Sequence, residues 1–207
     1  MSATYGIDVI DYSERMKKIL IIDGNPDKES LCAVLAESYA AGATSTGNEV
    51  NLLHLGELKF SPVLQYGYRK RTDMEPDLEH ALQLLFDADH IVVVYPIWWA
   101  TEPALLKGFV DRVFLPGKVF RDKPNSPFPE KLLTGKTARL IVTMDAPVWY
   151  NLLAYRDAGI VAFKTGILKF CGVKPVRVTK FGQVKYTSEA KRKQWIEKAR
   201  QLGEAAM

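Results

Sequence analysis

The adjacent residues Trp98 and Trp99 stand in "YPIWWATEP" (95–103), on a turn bracketed by prolines between an apolar run and an amphipathic one. Indole area is normally kept for a core. Two indoles at such a turn suit a crevice that stacks on a flat apolar ring and leaves backbone N–H groups for the ring's polar edge. The competing reading is that both pack beneath neighbouring loops. A second stretch, "DGNPDKES" (23–30), puts Asn25 and Ser30 beside the start of a helical run. Free N–H groups and the positive dipole end of a helix suit a phosphate, although Ser30 taken alone reads as a helix cap.

These stretches need elements to position them. "KKILIID" (17–23), "NEVNLLHL" (48–55), "HIVVVYP" (90–96), "TARLIVTMD" (137–145) and "KPVRVTKFG" (174–182) read as strands. Their short, nearly continuous apolar runs are those of strands buried on both faces. Between them lie helical patterns: "LCAVLAESYAAGA", "PDLEHALQLLFDA" opened by Pro76, "EPALLKGFVDRVF" and "AGIVAFKTGILKFCG". "SEAKRKQWIEKARQLGEAA" closes the chain with Ser188 as N-cap. Five strands alternating with helices predict a parallel sheet covered on both faces, and right-handed crossovers favour the order 2-1-3-4-5. The order then reverses between the first and third strands, and ligands bind beyond the strand ends at such a switch point. Both unusual loops fall there, which favours the site reading for the tryptophan pair.

Composition narrows the classes. The 207 residues carry a net charge of +4 and are 47% hydrophobic, as expected of one globular domain over 17–207 behind a short extension, 1–16. The charge helps attract anions but lacks the concentrated basic face of a nucleic-acid binder. No apolar run reaches membrane-spanning length and no export signal is seen. Cys32 and Cys171 lie far apart and outside metal-ligand spacing, so they read as free thiols of a reducing cytoplasm. With His54 they read as structural, with no nucleophile–base arrangement among them. Neither G-x-G-x-x-G nor G-x-x-x-x-G-K-[ST] occurs, which disfavours the nucleotide folds built on those loops.

"YPIWWATEPALLKGFVDRVF" (95–114), together with "ILIIDGNPDKESL" and "TGILKFCGV" (165–173), resembles the NAD(P)H:quinone oxidoreductase family of flavodoxin-like flavoenzymes. The resemblance runs from about residue 17 to the C-terminus. It implies a flavodoxin-like three-layer sandwich and a bound flavin, FAD or alternatively FMN, with NAD(P)H as co-substrate and a quinone-like acceptor. The activity it implies is hydride transfer from nicotinamide to flavin and then from flavin to acceptor. Carried over by position, Asn25, Ser30, Leu31 and Cys32 hold the phosphate end. Pro96, Ile97, Trp98 and Trp99 hold the ring and ribityl chain. Thr143, Met144 and Asp145 fall where the family commonly has Thr-Thr-Gly-Gly; Asp145 and Ala146 replace the glycines, so a carboxylate there opposes charge on reduced flavin unless it points away. Tyr150, or alternatively Tyr155, takes the place of the family's catalytic tyrosine. No histidine is available as its companion, since His54, His80 and His90 all lie earlier. The family also implies a homodimer. A flavodoxin-type electron carrier, whose typically acidic surface the +4 charge argues against, and a regulatory ancillary subunit of a potassium-efflux system are the alternatives.

Three further features complete the reading. "RKR" (69–71) lies in a long loop (57–75) placed on the same side of the sheet as the site, either meeting the extra phosphate of NADPH or forming a solvated charge run. Phe120 and Phe128, in a second long loop (115–136), either cover the flavin or pack at a dimer contact. Asp111 and Arg112 read as a surface or interface pair.

Overall fold

Every second residue of an interior strand faces the opposite side of the sheet, and the apolar runs of this chain supply both sides. In the computed structural model, which describes residues 16–206, β1 (Lys18–Asp23), β2 (Glu49–His54), β3 (His90–Pro96), β6 (Thr137–Thr143) and β7 (Val176–Phe181) form one parallel sheet in the order β2-β1-β3-β6-β7. The sequence of pairings is the predicted 2-1-3-4-5. The extension read at 1–16 lies, except for Met16, outside the described residues.

Leu20, Ile22, Ile91, Val93 and Tyr95 point into one core, covered by α2 (Pro76–Asp87) and α3 (Ala104–Val113). Ile19, Ile21, Val92 and Val94 point into the other, covered by α1 (Leu31–Ser45) and α6 (Glu189–Ala205). The α1–α6 contact is close because glycines make it. A Cβ on Gly42 would lie 1.9 Å from the Arg200 carbonyl oxygen, and one on Gly203 2.1 Å from that of Tyr39. Ser188 caps α6 by accepting the Lys191 N–H, as its position predicts.

Three elements differ from expectation. The 115–136 loop contains a short hairpin, β4 (Phe120–Arg121) with β5 (Glu130–Lys131). A helix not predicted, α4 (Val148–Tyr155), follows β6. It starts after Pro147 without a side-chain cap, and its apolar residues run round the helix, so neither capping nor periodicity marks it. The helix predicted over "AGIVAFKTGILKFCG" begins as α5 (Ala158–Val161) and widens into a π-helical segment, Ala162–Lys169, whose Phe163 ring stacks on Tyr95 at 5.4 Å between centroids.

Arg112 is not a surface residue. It is 2% exposed. Its guanidinium donates to the carbonyls of Ser61 and Asp73 and to the Glu75 carboxylate, strapping the 57–75 loop to α3. Five donors in a planar fork can serve several acceptors at once, which a lysine cannot. Asp111 pairs instead with Lys107 on the exposed face. No helix among the described residues is long and apolar enough to cross a membrane.

Candidate functional site

The loops leaving the strands at their carboxyl ends converge on one crevice of about 190 Å³. Its walls are Asn25, Leu31, Cys32, Pro96, Ile97, Trp98, Thr143, Met144, Asp145 and Val184.

The first wall is the loop between β1 and α1. Asp23, fully buried at the end of β1, accepts the Asn25 N–H; Asn25 Oδ1 accepts from Asp27 N, and Asp27 Oδ1 from Glu29 N. This run of Asx turns, each a side chain closing on the amide two residues on, leads into the Ser30 cap, which accepts from Ala33 N. The N–H groups of Leu31 and Cys32, in the first turn of α1, have no partner among the described residues. They are the orphan donors of a helix start. Burial pushes the Asp23 carboxyl above the usual range, against the pull of the Asn25 amide and of His54, whose Nδ1 lies 3.1 Å from Asp23 Oδ2. Cys32 Sγ is 3.3 Å from Thr143 Oγ1, and burial pushes this thiol up to about 12, so it is inert at neutral pH.

The second wall follows β3. Ile97 N–H donates to the Thr143 carbonyl, and Trp98 and Thr101 exchange both backbone hydrogen bonds, at 2.8 and 3.0 Å. Trp99 and Ala100 between them have φ of 51° and 64°. Positive φ at both central positions is the signature of a type I′ turn, normally built from Asn and Gly. Each residue held there with a side chain stores on the order of 1 kcal/mol or more, and such strain persists only where the surroundings impose it. The brace here is α5: a Cβ on Gly159 would meet the Ala100 carbonyl at 2.3 Å. The turn separates the two tryptophans. Trp98 lines the crevice, half-buried, while Trp99 is fully exposed.

The third wall joins β6 to the segment after β7. Met144 N–H donates to Phe181 O, Val184 N–H to Met144 O, and Lys185 N–H to Asp145 Oδ1 at 3.1 Å. The Asp145 carboxylate is thus turned toward the 184–186 turn while still lining the crevice. Beside this wall Asp157, at positive φ, accepts from Asn151 Nδ2 and pairs with Lys180, fixing the corner after α4.

Nine of the eleven residues expected to hold a cofactor line this crevice. Ser30 lies outside the lining as a cap, and Trp99 points to solvent. Val184 was missed, although its place after the last strand of the sheet, at a carboxyl end, is a legible signal. Tyr150 is not in the lining either. It stands on exposed α4, edge-on to Trp149 at 5.9 Å and to Tyr155 at 5.8 Å. Phe120 packs edge-on against Phe170 instead of covering the crevice. The basic run at 69–71 is also elsewhere. Arg71 lines a larger cavity, of about 580 Å³, with Leu115 and Lys118, past the far end of α3. Ten residues of helix put that end about 15 Å from the α3 start beside the crevice, so the run is not on the same side as the site. That cavity is larger, but no strand end or free helix amide converges on it, and the crevice remains the better candidate. No group of three or more metal-ligating side chains occurs among the described residues.

What the crevice can do follows from its parts. A free pair of amides at one end holds an anion. An indole and the Pro96–Ile97 segment form an apolar slot for a flat ring.

The profile of the flavodoxin-like fold family matches residues 17–204. An "Uncharacterized NAD(P)H oxidoreductase" of Haemophilus influenzae is 27% identical over 197 residues, 91% of this chain and 95% of that protein. The "FMN-dependent NADH:quinone oxidoreductase 2" of Listeria innocua is 32% identical over 147 residues, 61% of this chain and 68% of that protein. Among solved structures, an NAD(P)H:quinone oxidoreductase from Methanothermobacter marburgensis superposes with a TM-score of 0.76 at 20% identity, over 92% of this chain and 96% of that one, a likeness of fold.

Proposed function

The chain belongs to the flavodoxin-like fold family, and from that premise we propose that it is a flavin-dependent NAD(P)H oxidoreductase that reduces quinones or similar flat acceptors. The observation that carries the proposal is the crevice at the switch point. It joins unpartnered helix amides at Leu31 and Cys32 to an indole-walled slot of a size and shape that suit a flavin ring. The bound flavin would supply hydride acceptance and donation. The chain's residues do the rest: the amides of Leu31 and Cys32 hold the phosphate, Trp98 and Ile97 hold the ring, and Thr143 and the backbone after it meet the ring's polar edge. FMN is favoured over FAD, because the Listeria relative is FMN-dependent by name and the crevice is small.

A homodimer is part of the reading. α4 turns Trp149, Leu152, Leu153 and Tyr155 outward, and Trp99 stands fully exposed. An exposed apolar patch of this kind marks an interaction surface, and a second copy would cover it and close the open side of the crevice. Tyr150 and Tyr155 belong to that surface, where one of them would meet the acceptor. Both cysteines are free and buried, which suits a cytoplasmic setting.

Anaerobic mixing of the FMN-loaded protein with NADH, and separately with NADPH, tests the activity. Rapid bleaching of the flavin absorbance, restored by menadione, is the expected result. Absence of bleaching with both nucleotides would leave an electron carrier on the same fold. Sedimentation equilibrium tests the dimer, and a monomer with full activity would remove it.

A further inference from the structure

Asp145 is the one formally charged side chain among the ten residues that line the crevice. It is exposed, accepts the Lys185 N–H, and has no cation within salt-bridge distance among the described residues. The nearby cations are engaged elsewhere: Lys180 is paired with Asp157, the Lys185 ammonium lies 5.9 Å from the centre of the Tyr186 ring, and Arg192 Nη2 donates to the Val184 carbonyl at 2.9 Å. The other acid near the crevice, Asp23, is buried behind Asn25 and bonded to His54. Any flat ring in so small a slot therefore lies close to one uncompensated carboxylate, whichever edge it presents.

Resting on the flavin reading above, we propose that Asp145 makes the bound flavin a low-potential hydride donor by opposing the negative charge that reduction places on the ring. Two electrons and one proton, delivered as hydride from NAD(P)H, convert the neutral oxidised ring to an anion; the acceptor, once it has taken that hydride, draws its own second proton from solvent. A fixed carboxylate weakens binding of the anionic reduced form and leaves the neutral oxidised form nearly untouched. A unit charge roughly 5 Å away, at an effective dielectric constant of about 40, changes the ratio of the two affinities by about tenfold. The consequence is a reduced flavin that passes its hydride readily to an acceptor.

The test uses the full chain loaded with FMN, titrated anaerobically against a redox dye at pH 7, as wild type, Asp145→Asn and Asp145→Glu. Asparagine keeps an oxygen that can accept the Lys185 N–H, so it removes the charge and not the hydrogen bond. The expected result for Asp145→Asn is reduced FMN bound about tenfold more tightly relative to oxidised FMN, a midpoint potential about 30 mV higher for the two-electron couple. The affinity for oxidised FMN should stay within about twofold, and Asp145→Glu should retain the low potential. An unchanged potential in Asp145→Asn would overturn the proposal, as would equal weakening of both redox forms, which would make Asp145 a structural anchor of the 184–186 turn. Failure of the wild-type protein to bind any flavin would overturn the reading beneath the proposal and the proposal with it; flavin binding without a potential shift overturns the proposal alone.

Discussion

Replacing Trp98 and Trp99 one at a time by alanine should separate two neighbours that look alike in sequence. Trp98 lines the crevice and is 46% exposed, whereas Trp99 is 100% exposed on the tip of the strained turn. An indole side chain offers roughly 200–250 Å², so about 100 Å² of Trp98 remains open to a ligand. A ring that covers half of that removes about 50 Å² from water, ~1.3 kcal/mol at ~25 cal/mol per Å². Aromatic stacking adds on the order of 0.5–1.5 kcal/mol. The sum, about 2 kcal/mol, corresponds to a loss of about 30-fold in FMN affinity for Trp98→Ala. Trp99→Ala keeps the Cβ, and with it the turn's strain, and should change FMN affinity by no more than about twofold. Quenching of FMN fluorescence on titration with each variant reads the constants directly. Equal losses, or a larger loss for Trp99→Ala, would refute the assignment of the ring to the Trp98 side.

Arg112→Ala removes a buried guanidinium and strands Glu75 and two loop carbonyls, which should cost about 3–5 kcal/mol of stability in urea unfolding; a loss below about 1 kcal/mol would mean that water takes its place. Gly159→Ala puts a methyl group 2.3 Å from the Ala100 carbonyl, so the Trp98–Thr101 turn must move; FMN affinity should fall several-fold although residue 159 does not line the crevice. His90 is buried between Tyr39 and Thr137, and burial with nearby Arg139 holds its imidazole down to about 3. The unfolded chain protonates it near pH 6.5 and the folded chain does not, so its contribution is full above about pH 6.5. It is lost at up to about 1.4 kcal/mol per pH unit as pH falls toward 3. Urea midpoints at pH 7 and pH 5 should therefore differ less in His90→Gln than in wild type.

The strand order was legible because each buried strand is a continuous apolar run and the connections obey a fixed handedness. The switch-point rule then located the crevice from the two loops at its edge, and the family resemblance named most of the nine predicted residues that line it. Other parts were decided only in three dimensions. Arg112 looks like any charge on an amphipathic helix; its burial depends on the 57–75 loop folding back onto α3, a contact between residues 37 to 51 positions apart. The destination of the basic run at 69–71 was hidden for the same reason. By sequence the two tryptophans form a pair that holds the ring. They diverge because Trp99 and Ala100 adopt positive φ, which residue type argues against and which the bracing of α5 against the turn imposes. Local pattern determines which strands of the main sheet form and in what order they pair, because periodicity and handedness act over a few residues. What lies across a gap between loops depends on contacts distant in sequence, and only the tertiary structure decides it.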